Sequence, residues 1–153
     1  MDTLTPERRS WLMSRIRSKN TRPELLVRRL LHANGYRFRV CPPAKGRTED
    51  GLPYPEGHPD IVIPRCHALI EVRGCFWHRH AGCADATTPK SNRAFWNAKF
   101  RRNVKRDAEH EKAWAAQGWN LIVVWACGLA PASREKTFRF ILRTLARWEV
   151  KKK

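Results

Sequence analysis

Three soft metal ligands crowd into one short stretch, GCFWHRHAGC, where Cys75, His80 and Cys83 lie within nine residues. No other feature restricts the fold as much. Zinc takes four ligands in a tetrahedron, so a set this compact needs one more donor from elsewhere in the chain. Cys127, Cys41, Cys66 and His78 are the candidates, and Cys127 would staple the loop to the end of the run LIVVWAC. The alternative is a group of independent buried thiols. Five cysteines, an odd number, speak against a disulfide framework. A site closed by four protein ligands has no vacancy for water and therefore has a structural role.

Around this knot the chain reads as alternating helices and strands. Thr5 and Pro6 start a helix in TLTPERRSWLMSRI. Thr21 and Glu24 form a capping box for TRPELLVRRLLHANG, with Leu25, Leu26, Leu30 and Leu31 as its apolar stripe and Gly35 past its end. YRFRV alternates like a half-buried strand. Residues 41–58 are rich in Pro and Gly and predict a long loop. PDIVI and ALIEVRG predict a β-hairpin. Ser91 is placed to cap a helix running to about Gln117; WNLIVVW follows as a buried strand and REKTFRFILRTLARW as a closing amphipathic helix. The expected fold is a single α/β domain over residues 1–153, a mixed central sheet with flanking helices. The zinc loop spans 74–85 and a basic tail 151–153.

Lys and Arg total 31 against 14 acids, a net charge of +17. Such a chain attracts polyanions, and release of counterions from phosphates drives the binding. Nucleic acid is the expected partner. No apolar run approaches the ~18 residues of a membrane helix, and MDTLTPERRS lacks the build of a secretion signal. These features point to a soluble intracellular protein.

The predicted hairpin carries the chemistry. Pro59-Asp60 opens one strand and Glu71-x-Arg73 closes the next, which brings Asp60 and Glu71 within reach of one ion. Two carboxylates and a backbone carbonyl make a hard oxygen site suited to Mg²⁺. Otherwise Asp60 caps a turn and Glu71 pairs with a surface arginine. The arrangement resembles the PD-(D/E)xK nucleases, with Arg73 in the usual lysine position. Phe76 and Trp77 pose a separate question. If their loop is extended, the two cannot face one core, and one projects outward as a wedge between DNA bases; otherwise both are core. On a helix, Trp96, Asn103 and Asp107 share one face. Asp107 could serve that face or simply pair with a neighbouring lysine.

GCFWHRH, AFWNAKFRRNVKRD, IVVWACGL and the opening LMSRIRSKNTRPE, in their order around HPDIVI, resemble the very-short-patch repair (Vsr) mismatch endonucleases from about residue 8 to residue 130. The resemblance implies a restriction-endonuclease-like fold, a structural Zn²⁺ and a Mg²⁺-dependent nick 5′ of the thymine in a T:G mismatch. It places the metal-bridging aspartate on Asp60, a metal-contacting carbonyl on Val72 and the catalytic histidine on His78. Zinc ligands fall on Cys75, His80, Cys83 and Cys127. The major-groove wedge falls on Phe76, Trp77 and Trp96, and Met13 and Ile16, on a clamping helix within residues 1–20, match the minor-groove side. Glu24 and Asp107 match acids that support the active centre, although capping alone also accounts for Glu24. Double-stranded DNA, a cytosine methyltransferase as genetic companion, a mismatch-repair ATPase as partner, a monomer on DNA and a bacterial nucleoid location are likewise implied.

Three departures stand out. Val72-Arg73 occupies the place of a Thr-His pair, so Glu71 is expected to join Asp60 as a direct Mg²⁺ ligand. One extra residue separates His80 from Cys83. The 41–58 loop, with Lys45, Arg47 and Tyr54, is longer than the family's link and could reach DNA or be disordered. The alternatives to a mismatch enzyme are a restriction-like nuclease acting on unmispaired DNA and a non-catalytic zinc-containing nucleic-acid binder.

Overall fold

The computed structural model describes residues 4–40, 42–43 and 45–149; Cys41 and the basic tail lie outside them. Helix α1 (Pro6–Ser14) begins where expected, with the Thr5 side chain accepting from the Arg8 N–H at 3.3 Å. It buries none of its residues and ends at Ser14, so Ile16, expected on this helix, lies past its end; Trp11 and Ile16 stand about half exposed, at 51% and 52%. Helix α2 (Arg22–Ala33) is capped by Thr21. Its stripe is rotated from the expected one. Val27 and Leu31, one turn apart, are fully buried, whereas Leu25 is exposed.

The central sheet has the order β1 (Ile61–Ile63), β2 (Ala68–Arg73), β3 (Asn120–Trp125). The hairpin forms as expected, with Ile61 opposite Ile70 and Ile63 opposite Ala68. A 3₁₀ turn over Pro64–Cys66 and His67 in a left-handed conformation (φ 46°) join its strands. β3 runs parallel to β2, so the chain between them crosses over the sheet. That crossover holds a single helical turn, α3 (Cys75–His78), the Cys/His loop, and α4 (Arg93–Ala116). The closing helix α5 (Arg134–Trp148) follows β3. No helix among the described residues is long and apolar enough to cross a membrane.

The two sheet faces have separate cores. Ile61, Ile63, Ile70, Ile122 and Val124 meet Val27 and Leu31 of α2 and Ile141 and Leu145 of α5. Val62 and Leu69 meet Trp114 of α4 and Trp119. The result is a mixed α/β fold with helices on both faces, the class expected from sequence. Each buried aliphatic side chain contributes ~1.5–3 kcal/mol, and truncating Ile141 to Ala should cost ~2–5 kcal/mol.

Two expectations fail locally, and a third, the long loop over residues 41–58, holds. YRFRV makes one antiparallel bridge, Arg39 to Val62, rather than a strand. Its burial alternates as a strand's would, but the facing strand has only three residues, bounded by Pro59 and Pro64. Ser91 does not cap α4. Asn92 occupies that position without a side-chain bond, and the Ser91 hydroxyl instead accepts from Arg9 of α1 at 3.1 Å. The described part of the 41–58 loop contains neither helix nor strand and is fastened to the body. The indole N–H groups of Trp114 and Trp119 donate to the carbonyls of Glu56 and Pro53, at 2.7 and 2.9 Å.

Candidate active site and metal centre

Asp60 stands just before β1, opposite Glu71 of β2. The Asp60 N–H donates to Glu71 Oε1 at 3.0 Å, and the Val72 N–H donates to Asp60 Oδ2 at 2.8 Å. Each carboxylate thus spends one oxygen on the hairpin backbone, which leaves Oδ1 and Oε2 for another partner. Burial raises the Asp60 carboxyl from 3.8 to about 6, against the lowering effect of the Val72 N–H. Burial and then the Asp60 charge raise Glu71 from 4.5 to about 8. Two acids held this close resist ionising together unless a cation offsets them. Val72 directs its N–H toward Asp60, and the carbonyl of a strand residue points to the same side as its N–H. Asp60, Glu71 and the Val72 carbonyl therefore lie along one edge of the hairpin, and hard oxygen donors are what Mg²⁺ takes.

Helix α4 lies across this edge. Asp107, 8% exposed, accepts from or shares a proton with His78 Nδ1 at 2.7 Å. One turn earlier, the Asn103 side-chain amide donates to the Trp77 carbonyl at 3.0 Å. Trp96, Asn103 and Asp107 lie on one face of α4, as the spacing predicts, and that face meets α3. Glu24, 5% exposed, is both cap and neighbour of the centre. It accepts from the Asn20 N–H at 2.9 Å, the Thr21 hydroxyl at 3.1 Å and the Arg28 guanidinium at 3.1 Å. Its charge also contributes to raising Asp60.

Ligand atoms of Cys75, His80, Cys83 and Cys127 all lie within 4.8 Å of one another, a group that could hold one metal ion. His80 Nε2 is 3.4 Å from Cys75 Sγ and 3.5 Å from Cys127 Sγ. Tetrahedral zinc, with Zn–S of ~2.3 Å and Zn–N of ~2.0 Å, would set sulfur and nitrogen ligands ~3.5 Å apart. The donor set and its spacing suit that ion. Of the other fourth-ligand candidates, Cys66 is buried in the core below the sheet and His78 is engaged with Asp107. Trp125 of β3 stacks on the His80 ring, with centroids 4.2 Å apart.

Residues 75–78 form a helical turn, so the premise that Phe76 and Trp77 sit on extended backbone does not hold. Both rings are half-buried, neither sealed in nor fully projecting. They meet edge to face at 4.9 Å, and Trp96 lies 5.5 Å from Phe76 and 6.1 Å from Trp77. Phe100 closes the group from beneath, 5.2 Å from Phe76, and Phe95 leaves its ring exposed at the rim. The Lys99 ammonium lies 4.9 Å from the Trp77 ring. The product is an aromatic platform with a cation on it, adjoining His78. Met13 and Ile16 belong to the separate α1 region, Met13 half-buried and Ile16 exposed.

Arg73 does not extend toward solvent. It is 6% exposed, and its Nη1 pairs with Glu111 Oε1 of α4 at 2.6 Å. Sequence reasoning missed Glu111, although it stands one turn after Asp107 on the face already singled out. It also missed Arg28, whose spacing of four from Glu24 carried the signal.

Residues 1–84 match the family model described as DNA mismatch endonuclease Vsr. With the α/β fold, this defines the chain as a DNA endonuclease. It belongs to the Vsr DNA mismatch endonuclease family. The type II nicking enzyme V.XorIIP of Xanthomonas oryzae pv. oryzae is 48% identical over 129 residues, covering 84% of this chain and 87% of its own. The type II nicking enzyme V.NmeAIP of Neisseria meningitidis is 38% identical over 128 residues, 84% of each chain. The DNA mismatch endonuclease Vsr of Escherichia coli K12 is 33% identical over 141 residues, covering 92% of this chain and 82% of its own.

Proposed function

We propose that this endonuclease nicks one strand of a T:G-mismatched duplex on the 5′ side of the thymine, with Mg²⁺ at Asp60, Glu71 and the Val72 carbonyl and structural Zn²⁺ at Cys75, His80, Cys83 and Cys127. One observation carries the reading: two half-buried acids that repel one another lie beside a His78–Asp107 pair and an aromatic platform. When bound, Mg²⁺ supplies charge neutralisation at the phosphodiester and makes water a competent nucleophile near neutral pH.

The chain's own residues do the rest. Asp107 holds the His78 ring through Nδ1, so Nε2 is the atom that moves a proton to or from the reacting oxygens. Asn103 steadies the Trp77 backbone and so the platform. Phe76, Trp77 and Trp96 press on bases from one groove, and Met13 of α1 and Ile16 just past its end press from the other. Unstacking a base step costs a few kcal/mol, which aromatic contact and the bent duplex offset. A groove of about 770 Å³ lined by Arg17, Arg22, Arg29 and Arg134 adds cationic surface for phosphates. A single centre suits a monomer making one nick. A cytosine methyltransferase, whose product deaminates to thymine, is the genetic companion, and a mismatch-repair ATPase a partner, in a bacterial cytoplasm.

The test compares T:G and T:A duplexes, with and without Mg²⁺. A nick confined to T:G and dependent on Mg²⁺ is expected. Equal cutting of T:A would favour a restriction-like nuclease, and tight binding without any cutting a non-catalytic zinc protein.

A further inference from the structure

The guanidinium in the place of the nucleases' lysine is buried, and its environment assigns it a different task. Arg73 ends β2, two residues after Glu71 and two before the metal-cluster residue Cys75. Side chains two apart on a strand share a face, and the Arg73 charge reaches Glu71, whose carboxyl it helps to lower. The Arg73 Nη1 is committed to Glu111 at 2.6 Å. Its Nε is buried and makes no hydrogen bond. A side chain seated to grip a phosphate would keep its fork exposed and free; this one is buried, with Nη1 already paired.

Arg73 and Trp125 are register partners across β2 and β3, and the Arg73 guanidinium carbon lies 6.0 Å from the Trp125 ring centroid. The same indole stacks on His80 of the metal cluster. Glu111 stands one turn beyond Asp107, the residue that holds His78. One face of α4 thus grips both ends of the Arg73–His78 segment, and Arg73 joins that grip to the ring against the metal cluster.

We propose that Arg73 is a positioning residue rather than a phosphate contact, with Glu111 as its anchor: the pair locks the end of β2 so that Glu71 and the Val72 carbonyl are held in register with His78. This rests on the endonuclease reading of the site. Removing either partner loosens the same clamp, so the two losses do not add.

The test is a double-mutant cycle in the metal-loaded full chain: Arg73→Gln, Glu111→Gln and both. Glu111 is a partly exposed side chain, so its variant keeps the fold even if Arg73→Gln does not. Kinetics on a T:G duplex and the salt dependence of duplex binding are measured for each. Each single variant should lower kcat by ~10-fold or more, leaving KM and the salt slope unchanged, and the double variant should match the worse single. Parental kcat in Glu111→Gln would overturn the proposal. So would an Arg73→Gln salt slope reduced by ~1, the mark of a lost phosphate contact. If the parent cuts nothing, the endonuclease reading fails separately; the salt slopes still decide whether Arg73 touches phosphate.

Discussion

The carboxylate edge and the Cys/His cluster are two ionic centres built on opposite electrostatic terms. Cys75, His80, Cys83 and Cys127 converge from a short loop and one strand end, with separations that satisfy a tetrahedral ion. Asp60 and Glu71 are held together by backbone hydrogen bonds although their charges repel, and burial raises both carboxyls. Under the proposed function, an ion in the first centre would stabilise the fold, and a cation at the second would relieve the repulsion between its acids. Proteins hold such strained groups where chemistry is done.

The sharpest way to break that contrast is to remove one acid. Asp60→Asn should lower nicking by ~10²–10³-fold, the scale of losing a key electrostatic group. The metal-free protein should lose no thermal stability at pH 8, because a repelling charge has gone. A clear drop in Tm there would show that the acids support the fold. His78→Ala should also lower kcat by ~10²-fold or more, the scale of general acid–base catalysis. An unchanged kcat would remove His78 from proton transfer.

The second centre answers to a different measurement. Cys127→Ser, or stripping with a chelator, should lower Tm by ~10 °C, as expected when a ligand ~10³-fold above its dissociation constant is lost from a chain of this size. An unaltered Tm would leave the four side chains without a structural ion.

The pH dependence sharpens the comparison further. Asp60 titrates at about 6 and Glu71 at about 8 in the folded state, above their ordinary values of 3.8 and 4.5. Between roughly pH 4 and pH 8 the folded state therefore binds more protons than the unfolded state, and stability falls as pH rises. The pair titrates as a unit, so the decline belongs to both acids. Melting of metal-free protein from pH 5 to pH 8 should show this decline, and Glu71→Gln should reduce it. Mg²⁺ should raise Tm more at pH 8 than at pH 5. The smallest effect belongs to α1. Ile16→Ala, at an exposed position, should change stability by less than ~0.5 kcal/mol while weakening binding to mismatched duplex. Equal affinity in the two proteins would place α1 outside the interface.

Local signals read well from sequence where the physics is local. Thr5 and Thr21 cap their helices because a hydroxyl reaches the N–H three residues on. The Ile61–Ile63 and Ala68–Arg73 hairpin follows from two short β-branched runs near a turn. Cys75, His80 and Cys83 announce themselves by spacing. The misses are non-local. YRFRV has a strand's alternation but too short a partner to pair with. Nothing in the spacing of Phe76 and Trp77 says whether their backbone is extended; the short helical turn from Cys75 lets both rings enter one cluster. Of the expected α2 stripe, Leu26, Leu30 and Leu31 face the core and only Leu25 turns outward, its place taken by Val27.

From sequence alone came the metal-ligand spacing, the acidic hairpin, the polyanion-seeking charge and the mixed α/β class, since each depends on neighbours along the chain or on composition. Only the tertiary structure brought Cys127 up to the three ligands of the loop, turned Arg73 onto Glu111 and laid Asp107 against His78. Those choices join residues from 29 to 52 positions apart, and no local pattern encodes which side chain will face which once helix α4 settles across the sheet.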